Sequence, residues 1–372
     1  MANSENIKCA KLKDELVRRL KAGEFPFSSR FPGISELEAE YGVSYVTAFK
    51  SLKLLEAEGF LECRRGVGFF TLYSEHRPMK SKKVNFVLLE ECWQNFRAYL
   101  DAELSRFQAA GWQVEVVPLK IHDVNKASMV FNSPDAYTLF YCLTADWNRF
   151  AATFSQICSR VLVIGKLSGS SQITSIVCDE AATVNQIIDY LHRNERTRPG
   201  IFCNIEENEL EMFRLGYWRM ALQRAGLSLE WIQDHIFPLR VERDGDPAQL
   251  RQEFFCQMRE HLARRGREMD SIVVAYSRAS FMEACRVVGL RVPDDLLPVH
   301  IASPQWEINT PYYAMLDNNL SAHFETAFNI LEHRFATGKK EPGSYYFCSP
   351  MGVRKPSCAD ALDELNSVTS RK

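Results

Sequence analysis

The chain has no long apolar run: nothing in its 372 residues approaches the ~20 consecutive apolar residues that cross a bilayer. Its first stretch, "MANSENIKCAKLKDELVRRL", has no apolar core, so no secretory signal is expected. Low-complexity tracts are absent, and a composition of 46% hydrophobic and 25% charged residues is that of an ordinary soluble protein. No C-x-x-C occurs among the 11 cysteines, whose number is odd and whose spacing (Cys9, Cys63, Cys92, Cys142 and onward) is irregular. A disulfide framework is therefore not expected; reduced, mostly buried thiols in a cytoplasmic protein are. H-E-x-x-H and clustered His/Cys sets are missing, and the 8 histidines are scattered, so no metal is expected. "IGKLSGSS" has a Gly-Lys but not the spacing of a phosphate-cradling loop. No G-x-S-x-G elbow marks a nucleophilic serine. Neither a cofactor nor catalysis is expected.

A strong net charge is also lacking, at −2 overall, but the charge is unevenly spread. Residues 1–83 hold 15 Lys/Arg against 11 Asp/Glu, a net of +4, which leaves 30 against 36, a net of −6, in the remainder. A mildly basic head on an acidic body suits a nucleic-acid module joined to something else.

In that head, "IKCAKLKDELVRRLKAGEF" places Ile7, Leu12, Leu16, Val17 and Leu20 on one helical face, with Gly23 as the stop. "FPFSSRFPG" reads as a loop and "ISELEAEYG" as a short helix ended by Gly42. Ser44 is a good N-cap for a third helix whose buried stripe is Ala48, Leu52 and Leu55, with Gly59 as the stop. "FLECRRGVGFFTLY" then reads as a hairpin around a glycine-containing turn. Helix, helix–turn–helix and β-wing make residues 1–73 a winged helix, with 74–83 ("SEHRPMKSKK" from Ser74 to Lys83) as a basic linker.

From residue 84 the pattern alternates. "VNFVLL", "WQVEVVPL", "AYTLFYCL", "RVLVIG", "TSIVCD", "GIFCNI", "SIVVAY" and "PVHIAS" are apolar runs of strand length. Between them lie helical stretches such as "NFRAYLDAELSRFQAAG", "DWNRFAATFSQICS", "EAATVNQIIDYLHRN", "ELEMFRLGYWRMALQRAG" and "SRASFMEACRVVG". Continuous apolar strands alternating with helices predict an α/β body of parallel sheets covered on both faces. Residues 84–372 are long enough for two lobes, with a ligand expected in the cleft at the strand ends.

Two families are resembled. Residues 8–73 look like a GntR-type winged helix, in "FPGISELEAEYGVSYVTAFKSLKLLEAEGFLECRRGVGFFT": a loop proline, G-V-S, L-x-x-E-G and a G-x-G wing. Residues 84–356 look like a LacI-type sensor, a relative of periplasmic sugar-binding proteins, in "VCDEAATV", "FRLGYWRMALQRAGL" and "CRVVGLRVPDDL". A head and sensor so joined form the architecture of arabinose-type repressors.

The resemblance implies DNA contacts from Arg30, Ser44, Tyr45, Val46, Thr47, Phe49, Lys50, Lys53, Arg64 and Arg65. Any one of these cations could equally be solvated surface. The reading face departs from the family. Its usual arginines are replaced by Tyr45 and Phe49, a third by Ser35, and the basic wing tip by Val67. Arginine reads guanine bidentately, so its loss predicts altered operator specificity. Tyr45 could bond a phosphate or base edge; Val46 or Phe49 could pack on a thymine methyl, although Phe49 could also turn inward as core.

For the sensor, the resemblance implies a ligand site with Arg214 as the contacting arginine. Tyr217 stands at the family's glycine three residues on, with Gly216 one early. Glu90, Trp93, Phe96, Tyr141, Tyr276 and Asn318 are further candidates, since aromatic faces stack on sugars while carboxylates and amides fix hydroxyls. The family's Asn-Asp pair corresponds loosely to Tyr276 and Ser277, and a further family aspartate to Ala302 or Ser303. Asp179 could be a ligand group or a helix cap. The expected protein is a cytoplasmic homodimer that binds a pseudo-palindromic, double-stranded operator and responds to a sugar-like effector, without contacting a membrane. The rival is a small-molecule binding protein whose degenerate head no longer reads DNA.

Overall fold

The computed structural model describes residues 2–22, 24–25, 29–57, 60–64, 66–71, 79, 81–120, 122–131, 133, 135–141, 150, 160–168, 173–203, 209–240, 247–302, 313–338 and 345–354. Within these, the side chains of 2–7, 21, 91–99, 209, 247, 302 and 354 are outside the description.

The head opens with α1 (Ala2–Lys21), whose Leu12, Leu16 and Leu20 turn inward as their spacing predicts. They meet Leu37 of α2 (Ile34–Tyr41) and Ala48, Leu52 and Leu55 of α3 (Tyr45–Ala57), the last three fully buried. Gly42 ends α2 in the left-handed region, at φ 61°, and its N–H returns to the Glu38 carbonyl at 3.0 Å, a position only glycine fills without strain. Ser44 Oγ accepts from the Thr47 N–H at 3.3 Å and so caps α3. The stops expected at Gly23 and Gly59 lie outside the described residues. β1 (Leu61–Arg64) and β2 (Gly68–Thr71) pair antiparallel, Leu61 opposite Thr71, as the wing. Gly66 and Gly68 hold the wing's turn at positive φ.

Most of the expected linker lies outside the described residues, yet its far end is built into the body. Met79 packs in a body core, and Lys82 Nζ reaches Glu332 at 2.7 Å.

Among the described residues the body holds two six-stranded sheets. The first contains β3 (Lys83–Leu89), β4 (Gln113–Leu119), β5 (Tyr137–Tyr141), β6 (Val161–Ile164), β7 (Thr174–Cys178) and β13 (Tyr345–Cys348), ordered 13-7-6-5-3-4 and all parallel. The second contains β8 (Pro199–Cys203), β9 (Ile236–Pro238), β10 (Ser271–Val274), β11 (Leu297–Ala302), β12 (Met315–Asp317) and β14 (Val353–Arg354), ordered 14-12-11-10-8-9, with only β14 antiparallel. The helices are α4 (Glu90–Ala109), α5 (Val124–Phe131), α6 (Glu180–Arg193), α7 (Glu209–Arg224), α8 (Leu229–Asp234), α9 (Pro247–Arg265), α10 (Arg278–Val288) and α11 (Leu320–Thr337). The helix expected at "DWNRFAATFSQICS" lies almost wholly outside the described residues. "GLRVPDDL" proves a joint: Gly289, at φ 74°, ends α10, and Asp295 accepts from both the backbone and guanidinium of Arg291 before β11 begins.

The chain passes between the sheets three times, from β7 to α6, from β12 to α11 and from β13 to β14. The passages are stitched together: Asp179 N–H donates to the Cys348 carbonyl at 3.0 Å and Met351 N–H to the Asp317 carbonyl at 3.0 Å.

One buried group on β11 gives the fold a pH signature. His300 is 1% exposed, and neither ring nitrogen has a hydrogen-bond partner among the described residues. Burial, aided by the nearby Arg278 charge, pushes its pKa down to about 3. The unfolded chain therefore takes up a proton near pH 6.5 that the folded one refuses until about 3. Stability is complete above that window and is lost as pH falls through it, at up to about 1.4 kcal/mol per pH unit. Urea melts between pH 4.5 and 7 should show a flatter pH dependence for His300→Met than for the parent. Equal slopes would mean that water reaches His300.

Candidate functional site

The buried and exposed faces of α3 are sharply divided. Ala48, Ser51, Leu52 and Leu55 face the head core, leaving Tyr45, Val46, Phe49, Lys50 and Lys53 outward. Phe49 is 39% exposed, so it does not turn inward. Its ring stacks on Tyr45, with centroids 6.1 Å apart and planes at 7°. Thr47 differs from the rest of the expected face: it is 2% exposed, and its hydroxyl lies 3.0 Å from Ser44 Oγ, so it braces the helix start.

The expected cations differ in freedom. Lys53 bonds Glu56 at 2.6 Å, and Arg64 bonds Glu62 at 3.1 Å while lying over the Phe70 ring. Exposed pairs of this kind contribute little and exchange readily for a phosphate. Arg30 and Lys50 are exposed, and no ion pair engages either among the described residues. Arg65 lies outside them.

In the body, chemistry gathers where strands end. Asp179 follows β7 and is a cap: its carboxylate accepts from the Ala182 N–H at 3.0 Å. Glu180, the first residue of α6, forks onto Arg214 of α7, Oε2 to Nε at 2.6 Å and Oε1 to Nη2 at 2.8 Å. Side-chain exposures of 4% and 12% make this a buried bidentate pair. Burial alone would lower the Arg214 pKa, but Glu180 overrides it and holds the guanidinium charged. Beside it, Tyr276, just past β10, donates its hydroxyl to buried Glu211. Two carboxylates, one guanidinium and a phenol thus meet at the ends of β7, β8 and β10, with net charge −1.

Of the residues expected in this site, Arg214 and Tyr276 are brought together. Tyr141 is not an open wall: it is 3% exposed and packs against Phe324 in the first-sheet core, with centroids 6.5 Å apart. Glu90 starts α4 with its carboxylate 3.9 Å from Lys120 Nζ. Asn318 is half-buried at the passage from β12 to α11. Trp93 and Phe96 fall on α4, but their side chains, like Ser303, lie outside the described residues. Glu180 and Glu211 escaped the sequence reading, and only the acidic start of the "DEAAT" helix hinted at the first.

A groove of about 810 Å³ between α9 and α10, lined by Arg259, Arg264, Arg267 and Val287, lies at the far end of α10 from these strand ends. It plays no part in the cluster. Burial pushes the Cys178 and Cys203 thiols up to about 12, which keeps them protonated. Among the described residues no group of three His, Cys, Asp or Glu could hold a metal ion. No described helix is long and apolar enough to cross a membrane.

The described fold is thus a winged helix with an outward third helix, joined to two sheets, parallel except for β14, that the chain crosses three times. Residues 8–71 match the family model "Bacterial regulatory proteins, gntR family", so the head is a gntR-family domain. Over about three quarters of the chain the fold is that of solved LacI-family regulators. It is similar to a transcriptional regulator CelR–cellobiose complex, with TM-score 0.60 and 15% identity over 87% of this chain and 98% of that one. It is also similar to the transcription regulator CcpA of Lactococcus lactis, with TM-score 0.60 and 14% identity over 74% of this chain and 98% of that one. A third is the Escherichia coli transcriptional repressor ascG, with TM-score 0.53 and 14% identity over 75% and 99%. No curated protein matches the chain by sequence.

Proposed function

We propose that the protein is a cytoplasmic, non-catalytic transcription regulator whose operator binding responds to a small neutral polyol of the sugar class. What carries this reading is the presence in one chain of a gntR-family head with an outward third helix and a body with a polar cluster at its strand ends. Arg30, Lys50, Lys53 and Arg64, with Arg65 next in sequence, hold the duplex by its phosphates in this reading while Tyr45, Val46 and Phe49 face the bases. Two heads reach successive major grooves only if the protein is a two-fold dimer, which is the assembly this function requires.

The effector site is the one centred on Arg214, Glu180, Glu211 and Tyr276. Glu90, at the start of α4, and Asn318, at the passage to α11, are its further contacts in this reading, with Trp93 and Phe96 of α4 kept as candidates from the sequence alone. The body's likeness to a regulator solved with cellobiose supports a sugar. Closing the sheets over a ligand draws on both sides of the cleft, and differential affinity for the open and closed states transmits binding to the heads.

The test is a salt titration of the full chain on the DNA flanking its own gene. Neutralising six or more phosphates predicts a loss of about 1000-fold in affinity between 50 and 200 mM salt. A panel of mono- and disaccharides should contain one that shifts the curve, and sedimentation should give a dimer. Indifference to every flanking fragment would instead favour the stand-alone binding protein.

A further inference from the structure

The outward face of α3 is apolar where a DNA-reading helix would be expected to carry hydrogen-bonding side chains. Tyr45 is 57% exposed, Val46 45% and Phe49 39%, a combination that a small, otherwise well-buried head does not need for folding. The face is pre-shaped: the Tyr45 and Phe49 rings lie parallel at 7°, one helical turn apart, with Val46 beside them. Their helix cannot roll to hide them, since Ala48, Leu52 and Leu55 on its opposite side are fully buried. Charge decides which occupant this strip fits. The first turn of α3 contains no acidic residue, and Lys50 extends from the strip itself. Lys53, one helical turn past Phe49, and Arg64, on wing strand β1, are held only by exposed ion pairs that a phosphate can displace. An apolar strip rimmed by cations complements a duplex whose phosphates flank outward methyl groups. In the major groove, the C5-methyl of thymine is the one apolar group that a base edge offers.

We infer that Tyr45, Val46 and Phe49 form a thymine-methyl-reading surface, so that operator specificity rests on apolar contact and not on guanine hydrogen bonding. This rests on the DNA-binding reading proposed above. It predicts A·T pairs in the bases under the third helix, with thymine on a defined strand. Only Tyr45, through its hydroxyl, adds a polar contact.

The experiment uses the full chain. Selection from a random double-stranded pool yields the bound sequence, and each thymine in it is then replaced singly by deoxyuridine, which removes the methyl and nothing else. Burying one methyl corresponds to about four-fold in affinity. One or two positions per half-site should therefore weaken about three- to five-fold at constant salt, with the salt slope unchanged. At those positions Phe49→Ala or Tyr45→Ala should bind thymine and uracil alike. Both side chains are exposed, so the variants should melt with the parent. Equal affinity of the parent for thymine and uracil at every position overturns the methyl reading and leaves the regulator standing. A pool with no enriched sequence overturns both.

Discussion

Glu180→Ala should lower the stability of the second-sheet lobe by about 3–5 kcal/mol, among the largest effects available to a single substitution in this chain. The reason is what is left behind. Arg214 would lose both of its fork contacts, at 2.6 and 2.8 Å, while remaining charged and enclosed. Glu211 lies near enough to feel that charge, but it already accepts from Tyr276. The companion double variant Glu180→Met with Arg214→Met should recover most of the loss, because it removes both charges and fills their space. Urea melts followed by tryptophan fluorescence, to which buried Trp218 of the same lobe contributes, would measure this. A cost below about 1 kcal/mol for Glu180→Ala would mean that water reaches the pair, which would then be an ordinary surface bridge.

Leu52→Ala should abolish DNA binding without touching the body. Leu52 is fully buried where α1, α2, α3 and the wing converge. Truncating a buried leucine to alanine costs about 2–5 kcal/mol. A core as small as the head's has a total stability of only about 5 kcal/mol to spend. Calorimetry of the full chain should therefore lose its head transition and keep that of the body, with affinity for any operator falling to background. Intact operator binding by Leu52→Ala would mean that the head draws its stability from contacts outside its own core.

The same residue illustrates what the sequence made legible. Leu52 and Leu55 could be placed inside because helix period, Ser44 and Gly42 act over four or five residues, and the chain's own geometry enforces them. The apolar strands "VNFVLL", "RVLVIG" and "SIVV" were readable for a similar reason: strands buried on both faces need no partner to announce themselves. Three of the four edge strands, β9, β13 and β14, were not, whereas β4 was read in "WQVEVVPL". Tyr345, Tyr346 and Phe347 on β13 are exposed or half-buried, so no continuous apolar run marks them. The ion pair of Glu180 with Arg214 joins residues 34 positions apart, and Tyr276 meets Glu211 across 65. Such meetings depend on strand order, which no local pattern encodes. Tyr141 was misplaced because an aromatic at a strand end looks the same from sequence whether it lines a cleft or, as here, packs under Phe324. Thr47 misled for the opposite reason: it sits one residue from the outward face of a helix, and a 100° turn puts it indoors.

The three passages between the sheets bear on how the chain is made. The first sheet is begun by residues 83–178, but α11 and β13, which complete it, come from residues 320–348. Leu320, Phe324, Ala327 and Leu331 supply one wall of its core. On the ribosome that wall emerges only after the entire second-sheet insertion, residues 180–317, has been synthesised. The half-built sheet must wait through those 138 residues with its apolar face uncovered, for several seconds at about 5–20 residues per second. The body, unlike the head, has no order of synthesis in which one half is finished before the other begins.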